Sequence, residues 1–120
     1  MNLNNKYFKP LSSSKNSDTD DSTVFHYRQN DDIVWATYSG NNIRFGTLVG
    51  SFISNQRFKF NYQQIDNENI IKTGKCVSDI SVLNDGRLKI IENWEWTCGG
   101  FTKGKSSLLQ LKTKYNNGYN

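Results

Sequence analysis

The sequence predicts an all-β protein, an antiparallel up-and-down barrel of about eight strands. Short runs of β-branched and aromatic residues alternate with turn residues along the chain. No long window shows helical periodicity, and the connections between the runs are short. A meander of this size can close on itself and leave no exposed sheet edge. The 120 residues fit a single domain, residues 1–120.

The predicted strands follow one another in chain order. A short first run, 6–9, precedes a polar segment at 12–22 that we expect to be flexible. The later runs are 23–29, 33–39, 43–54, 57–65, 70–83, 87–97 and 106–115. A glycine-rich loop joins the last two runs, and residues 116–120 are expected to form a frayed tail.

Local patterns indicate which side chains face inward. The run 57–65 alternates aromatic with polar residues, which predicts an interior face of Phe58, Phe60 and Tyr62. Asn84-Asp85-Gly86 is a strong hairpin signal. Glycines within 43–54 are consistent with a sharp bend at a barrel corner.

Charge and cysteine content restrict the classes of partner. The formal net charge is +4, and the Lys and Arg residues are scattered, so we do not expect a nucleic-acid partner. No apolar run reaches membrane-spanning length, and the N-terminal residues lack the apolar region of a signal peptide. We therefore expect a cytoplasmic protein in which Cys76 and Cys98 are free thiols. No metal site and no cofactor are expected.

The segment 99–106 matches the P-loop pattern GxxxxGK[ST]. A P-loop requires a buried parallel strand before it and a helix after it, and neither is predicted here. We interpret the match as a flexible loop within a hairpin.

The run 87–97 contains the main candidate for a functional group. Leu88, Ile90, Glu92, Trp94 and Trp96 share one strand face, and four of these five are apolar. Glu92 is therefore expected to point inward. It could pair with an inward Arg or Tyr in a structural role, or it could serve a pocket as a ligand-binding or acid–base carboxylate. The structural role is the more frequent one for such a residue.

Three functions remain open on these grounds. The first is small-molecule binding in an aromatic-lined interior, with Tyr38, Tyr62, Glu92, Trp94 and Trp96 as candidate ligand-binding residues. The second is an enzyme that uses Glu92 with Tyr or Arg partners. The third is a single-stranded nucleic-acid binder, which needs exposed aromatics beside Lys and Arg. Aromatic residues in such strands, Trp35 included, belong more often to the core. His26 is the only histidine, so no catalytic histidine pair can be argued.

Four segments, 23–27, 34–40, 73–76 and 92–97, resemble a family of small bacterial proteins. The most specific of these strings is Trp-Ala-Thr-Tyr-Ser-Gly at 35–40. Members are often labelled N-acetylglutamate synthase. The resemblance implies a compact β-barrel similar to the calycin or lipocalin-like group.

The enzymatic label can be tested against the sequence. The usual acetyl-CoA-dependent fold is α/β and carries a Q/R-x-x-G-x-G/A loop, but no glycine here has Gln or Arg three residues before it. The sequence therefore does not predict acetyl transfer.

Overall fold

The computed structural model describes residues 1–100 and 102–112. The predicted tail at 116–120, the end of the last predicted strand and Phe101 lie outside these residues. The described residues form eight strands: β1 (Lys6–Ser13), β2 (Val24–Asn30), β3 (Ile33–Ser39), β4 (Ile43–Ser54), β5 (Arg57–Asp66), β6 (Ile71–Val82), β7 (Leu88–Trp96) and β8 (Lys103–Gln110). Within the described part of the chain, no helix is long and apolar enough to cross a membrane.

The strands form one closed antiparallel barrel in chain order, which confirms the predicted fold class. Each strand pairs with its neighbours in sequence, and β1 closes the barrel on β8. Closure leaves the sheet without a free edge. The β1–β8 register shifts between Pro10 and Ser12. A bulge is a position where a strand tolerates a proline, since proline has no N–H to donate.

Three strand boundaries differ from the predicted ones by more than one residue. Strand β1 continues four residues beyond the predicted end at Lys9, because its second half pairs with β8. Strand β8 begins at Lys103, three residues earlier than predicted, and ends at Gln110, before the predicted end at 115. Gly104, Lys105 and Ser106 of the P-loop match therefore lie in an extended strand paired with β7. This backbone cannot cradle a phosphate as a P-loop does.

Alternation along the strands puts the apolar residues inside the barrel. On β5, Phe58 and Phe60 are buried whereas Lys59 is exposed, as predicted. On β7, Leu88, Ile90, Glu92 and Trp94 are buried and Trp96 is partly buried. The prediction that Trp35 belongs to the core is wrong, because β3 turns Val34, Ala36 and Tyr38 inward and leaves Trp35 on the outer face.

The N-terminal residues close one end of the barrel. Leu3 is fully buried, its N–H donates to Gln29 Oε1 at 2.8 Å, and the Asn5 N–H donates to the Tyr27 carbonyl at 2.8 Å. Phe8 and Phe58 pack edge-on against Tyr27 in the same half. This half of the interior is therefore filled with side chains, and the loops at the other end, which we call the mouth, surround the space that remains.

Candidate functional site

A cavity lies inside the barrel beneath the mouth. It measures about 40 Å³, taken as the volume that the centre of a water-sized sphere can occupy. One water needs roughly 10–15 Å³ on this measure, so the cavity has room for about three waters. The lining includes all five candidate residues, Tyr38, Tyr62, Glu92, Trp94 and Trp96. Their role in binding a ligand stays a prediction.

Aromatic rings form two walls of the cavity. On one side, Tyr62 meets Trp96 with ring centroids 5.7 Å apart, and Trp96 meets Trp94 at 5.8 Å, both in edge-to-face geometry. On the other side, Phe25 stacks on Tyr38 at 4.7 Å. Such contacts hold large side chains at fixed angles, so the cavity has rigid apolar walls.

Glycines on neighbouring strands make room for three of these rings. Tyr38 lies opposite Gly46, Tyr62 opposite Gly74, and Trp94 opposite Gly104. A Cβ added at these glycines would lie 2.3, 2.1 and 2.1 Å from the facing ring, respectively. No residue larger than glycine fits at these three positions without displacing a ring that forms a wall of the cavity. The sequence pattern predicted only a bend at Gly46 and did not predict that this glycine makes room for the Tyr38 ring.

Glu92 supplies the acidic group at the floor of the cavity. Its side chain is buried between Ser78 on β6 and Ser106 on β8, which are its register partners and are buried too. Burial raises the pKa of Glu92 to about 7, because an ionised carboxylate loses its hydration inside the barrel. The predicted inward orientation is confirmed.

The structural alternative for Glu92, a pairing with an inward Arg or Tyr, is not observed within the described residues. Its carboxyl oxygens make no hydrogen bond or ion pair there, and no hydrogen bond contributes to its pKa shift. Arg28, Arg44 and Arg57 lie on exposed positions of the outer face. Arg87 precedes β7 and pairs with Asp85. The alternation of each strand turns the arginines outward and the apolar residues inward, which leaves Glu92 without a cationic partner.

Tyrosine hydroxyls near Glu92 remain protonated at neutral pH. Burial raises the pKa values of Tyr27, Tyr38 and Tyr62 above the ordinary tyrosine value, and the charge of Glu92 adds to the effect. Tyr38 donates to Gln64 Oε1 at 2.9 Å. The Tyr27 hydroxyl is buried and has no hydrogen-bond partner among the described residues. These groups can donate hydrogen bonds but do not act as bases.

The polar segment after β1 covers the mouth. Asp18 Oδ2 accepts a hydrogen bond from Gln64 Nε2 at 3.1 Å and pairs with Lys72 Nζ at 3.0 Å. The indole of Trp96 donates to the Asn16 carbonyl at 3.3 Å. Ser17, Asp18 and Thr19 thereby become part of the lining. These contacts could not be anticipated from composition, and the flexibility expected for 12–22 stays a prediction.

Family comparison agrees with this geometry. The fold and its cavity define a calycin-type barrel, a closed antiparallel meander with an interior space at one end. The chain belongs to the family of avidin-like proteins, because the model of that family, described as avidin-like protein, matches residues 1–111. No curated protein and no solved structure matches the chain at the significance required. The N-acetylglutamate synthase label is not supported by any of these observations.

The two thiols should differ in reactivity. Cys76 is buried within the barrel, and burial raises the pKa of its thiol, so little of the reactive thiolate forms. Cys98 is partly exposed after β7. We expect iodoacetamide to modify Cys98 in the native protein and Cys76 only after unfolding.

Mass spectrometry of peptides from native and denatured samples measures both modifications. Equal alkylation rates in the native protein, or a peptide linked through both cysteines, would contradict the expectation. The alkylation experiment does not test the cytoplasmic location expected from the sequence, which stays a prediction.

Proposed function

We propose that this protein binds a small molecule in the cavity beneath the mouth. The observation that carries the proposal is a buried carboxyl group, Glu92, that faces an aromatic-lined space and has no hydrogen-bond partner among the described residues. Among the described residues only the Tyr27 hydroxyl is both shielded from solvent and unpaired, so the Glu92 oxygens border the cavity itself. A ligand that donates hydrogen bonds to Glu92 would fill this space and bury its own apolar surface against the rings. Membership of the avidin-like family is consistent with ligand binding.

The positions of the aromatic rings favour small-molecule binding over nucleic-acid binding. The rings of Tyr38 and Trp94 are buried within the barrel. Base stacking needs exposed rings beside basic residues, and Trp35 is the one tryptophan on the outer face. The proposed protein is therefore a binding barrel, and its ligand contacts would come from Tyr38, Tyr62, Glu92, Trp94 and Trp96.

Entry of a ligand larger than about three waters requires the segment over the mouth to move. Its attachments are spread over several strands: Ser14 is held by Lys105, Asn16 by Lys103 and Trp96, and Asp18 by Gln64 and Lys72. The ion pair between Lys72 and Asp18 is partly exposed. An ion pair of this kind contributes about 0–1 kcal/mol. Release of that ion pair therefore costs little, and a bound ligand would replace the contacts of Asp18 with the rim.

A thermal-shift screen of small metabolites tests the proposal. A ligand present at about 100 times its dissociation constant adds roughly 2.7 kcal/mol to the free energy of unfolding. We expect a hit to change tryptophan fluorescence and to bind at least tenfold more weakly to Trp96→Phe.

Trp35→Phe is the matched control, because Trp35 is also partly exposed but lies on the outer face. Its affinity should equal that of the wild type. Equal weakening by both substitutions would place binding outside the barrel and contradict the proposal.

A further inference from the structure

The ionisable side chains of opposite sign are unequally represented in the cavity lining, which contains acidic residues and no basic ones among the described residues. Two carboxyl groups line it, Glu92 at the floor and Asp18 at the mouth, and no described lining residue is Lys, Arg or His. The ammonium group of Lys72 lies at the rim outside the lining. It is already paired with Asp18 at 3.0 Å and lies 3.8 Å from Asp66. An anionic ligand would therefore find no cation at the floor of the cavity.

Aromatic walls suit a positively charged group as well as a neutral one. Ring faces carry negative electrostatic potential and attract cations within about 6 Å of the centroid. The rim already shows the effect, since Lys72 Nζ lies 5.7 Å from the Trp96 ring centroid. Trp94 and Trp96 present their rings at 63° to each other, so a group between the walls meets ring surface from more than one direction.

We propose that the ligand is a small organic cation whose planar, N–H-bearing head, of the amidinium or guanidinium type, contacts the Glu92 carboxylate between the aromatic walls. This inference rests on the proposed binding function and specifies its ligand class. A planar head can donate two parallel hydrogen bonds to one carboxylate, which is the strongest arrangement for such a pair. It also supplies the positive charge that no protein side chain provides to Glu92.

Cavity size limits the head of the ligand. The volume of about 40 Å³ corresponds to about three waters, which is close to a group of three or four non-hydrogen atoms. Anything larger must extend towards the mouth, where Tyr62 and Trp96 lie beneath the segment 14–22. The expected ligand therefore has a compact charged end and an apolar or aromatic remainder.

Binding should depend on pH through Glu92. The titratable groups that face it are Tyr27 of β2, Tyr38 of β3, Tyr62 of β5 and Cys76 of β6, with Asp18 at the mouth. Burial raises the pKa values of the three tyrosines and the cysteine, so these groups stay neutral between pH 6 and 8. Glu92, with a pKa of about 7, ionises over this interval. A cation should bind about tenfold more tightly at pH 8 than at pH 6, in proportion to the ionised fraction.

Two isosteric series test the ligand class. The first is acetamidinium, acetamide and acetate; the second, with an aromatic remainder, is benzamidinium, benzamide and benzoate. Calorimetry at pH 8 should show each cation binding at least tenfold more tightly than its neutral partner, with the anion weakest. In Glu92→Gln the preference of cation over neutral molecule should disappear.

Glu95→Gln is the matched control, because it makes the same charge change on the same strand without altering the lining. The cation preference should persist in that variant. The wild-type series needs no variant, so the test stands even if Glu92→Gln folds poorly.

The outcomes separate this inference from the function it rests on. Tighter binding of the neutral or anionic member overturns the cation assignment and keeps the binding barrel. If neither series binds but the metabolite screen gives hits, the cation assignment is overturned and the proposed binding function stands. Absence of binding in both experiments contradicts the proposed function itself.

Discussion

Gly104→Ala is expected to lower the free energy of unfolding by about 1–3 kcal/mol, the usual cost of overpacking a core. The added Cβ would lie 2.1 Å from the Trp94 ring, which is buried and donates its indole N–H to Ser106 Oγ at 2.9 Å. The ring cannot move without losing this hydrogen bond and disturbing its contact with Trp96. Chemical denaturation of the variant and the wild type measures the difference.

Gly100→Ala is the matched control for this substitution. Apart from its chain neighbours, a Cβ at Gly100 would meet no heavy atom of the described residues closer than 3.8 Å, so the variant should be as stable as the wild type or slightly more so. In a Trp94→Ala background the cost of Gly104→Ala should largely vanish, because the clashing ring is absent. An undiminished cost in that background would show that the glycine acts through the backbone instead.

Glu92→Gln is expected to change how stability depends on pH. The pKa of Glu92 is about 7 in the folded protein and near 4.5 in the unfolded chain. Below about pH 4.5 both states are protonated and the full stability is present. As pH rises towards 7, the unfolded chain ionises first, so the folded state loses stability relative to it. The shift of about 2.5 units corresponds to about 3 kcal/mol.

The neutral amide of the variant removes this dependence while keeping the shape of the side chain. Glu92→Gln should match the wild type near pH 4.5 and exceed its free energy of unfolding by up to about 3 kcal/mol at pH 8. Denaturant titrations at a series of pH values provide the measurement, and Glu95→Gln should follow the wild-type curve. A variant less stable than the wild type at pH 8 would mean that the native carboxylate has a stabilising partner.

The sequence by itself determined the class of fold and, on β5 and β7, the side of the strand that faces inward. Period-two alternation on β5 and β7 fixes which residues are buried, because neighbouring side chains point to opposite faces of a sheet. It therefore predicted that Glu92 and Trp94 enter the interior together. The turn signals placed most strand boundaries, since those residue types relate directly to local backbone conformation.

Only the tertiary structure decided what surrounds Glu92. The absence of an interior arginine and the direction of the pKa shift depend on residues from several strands, which alternation within one strand does not reveal. The pairs of glycine and aromatic ring depend on the register between strands, which single-strand patterns do not fix. The segment 14–22 is polar and aperiodic, yet long-range hydrogen bonds to β5 and β7 place it over the mouth. Local patterns thus determined the barrel, and contacts between residues far apart in sequence determined the cavity at one end of it.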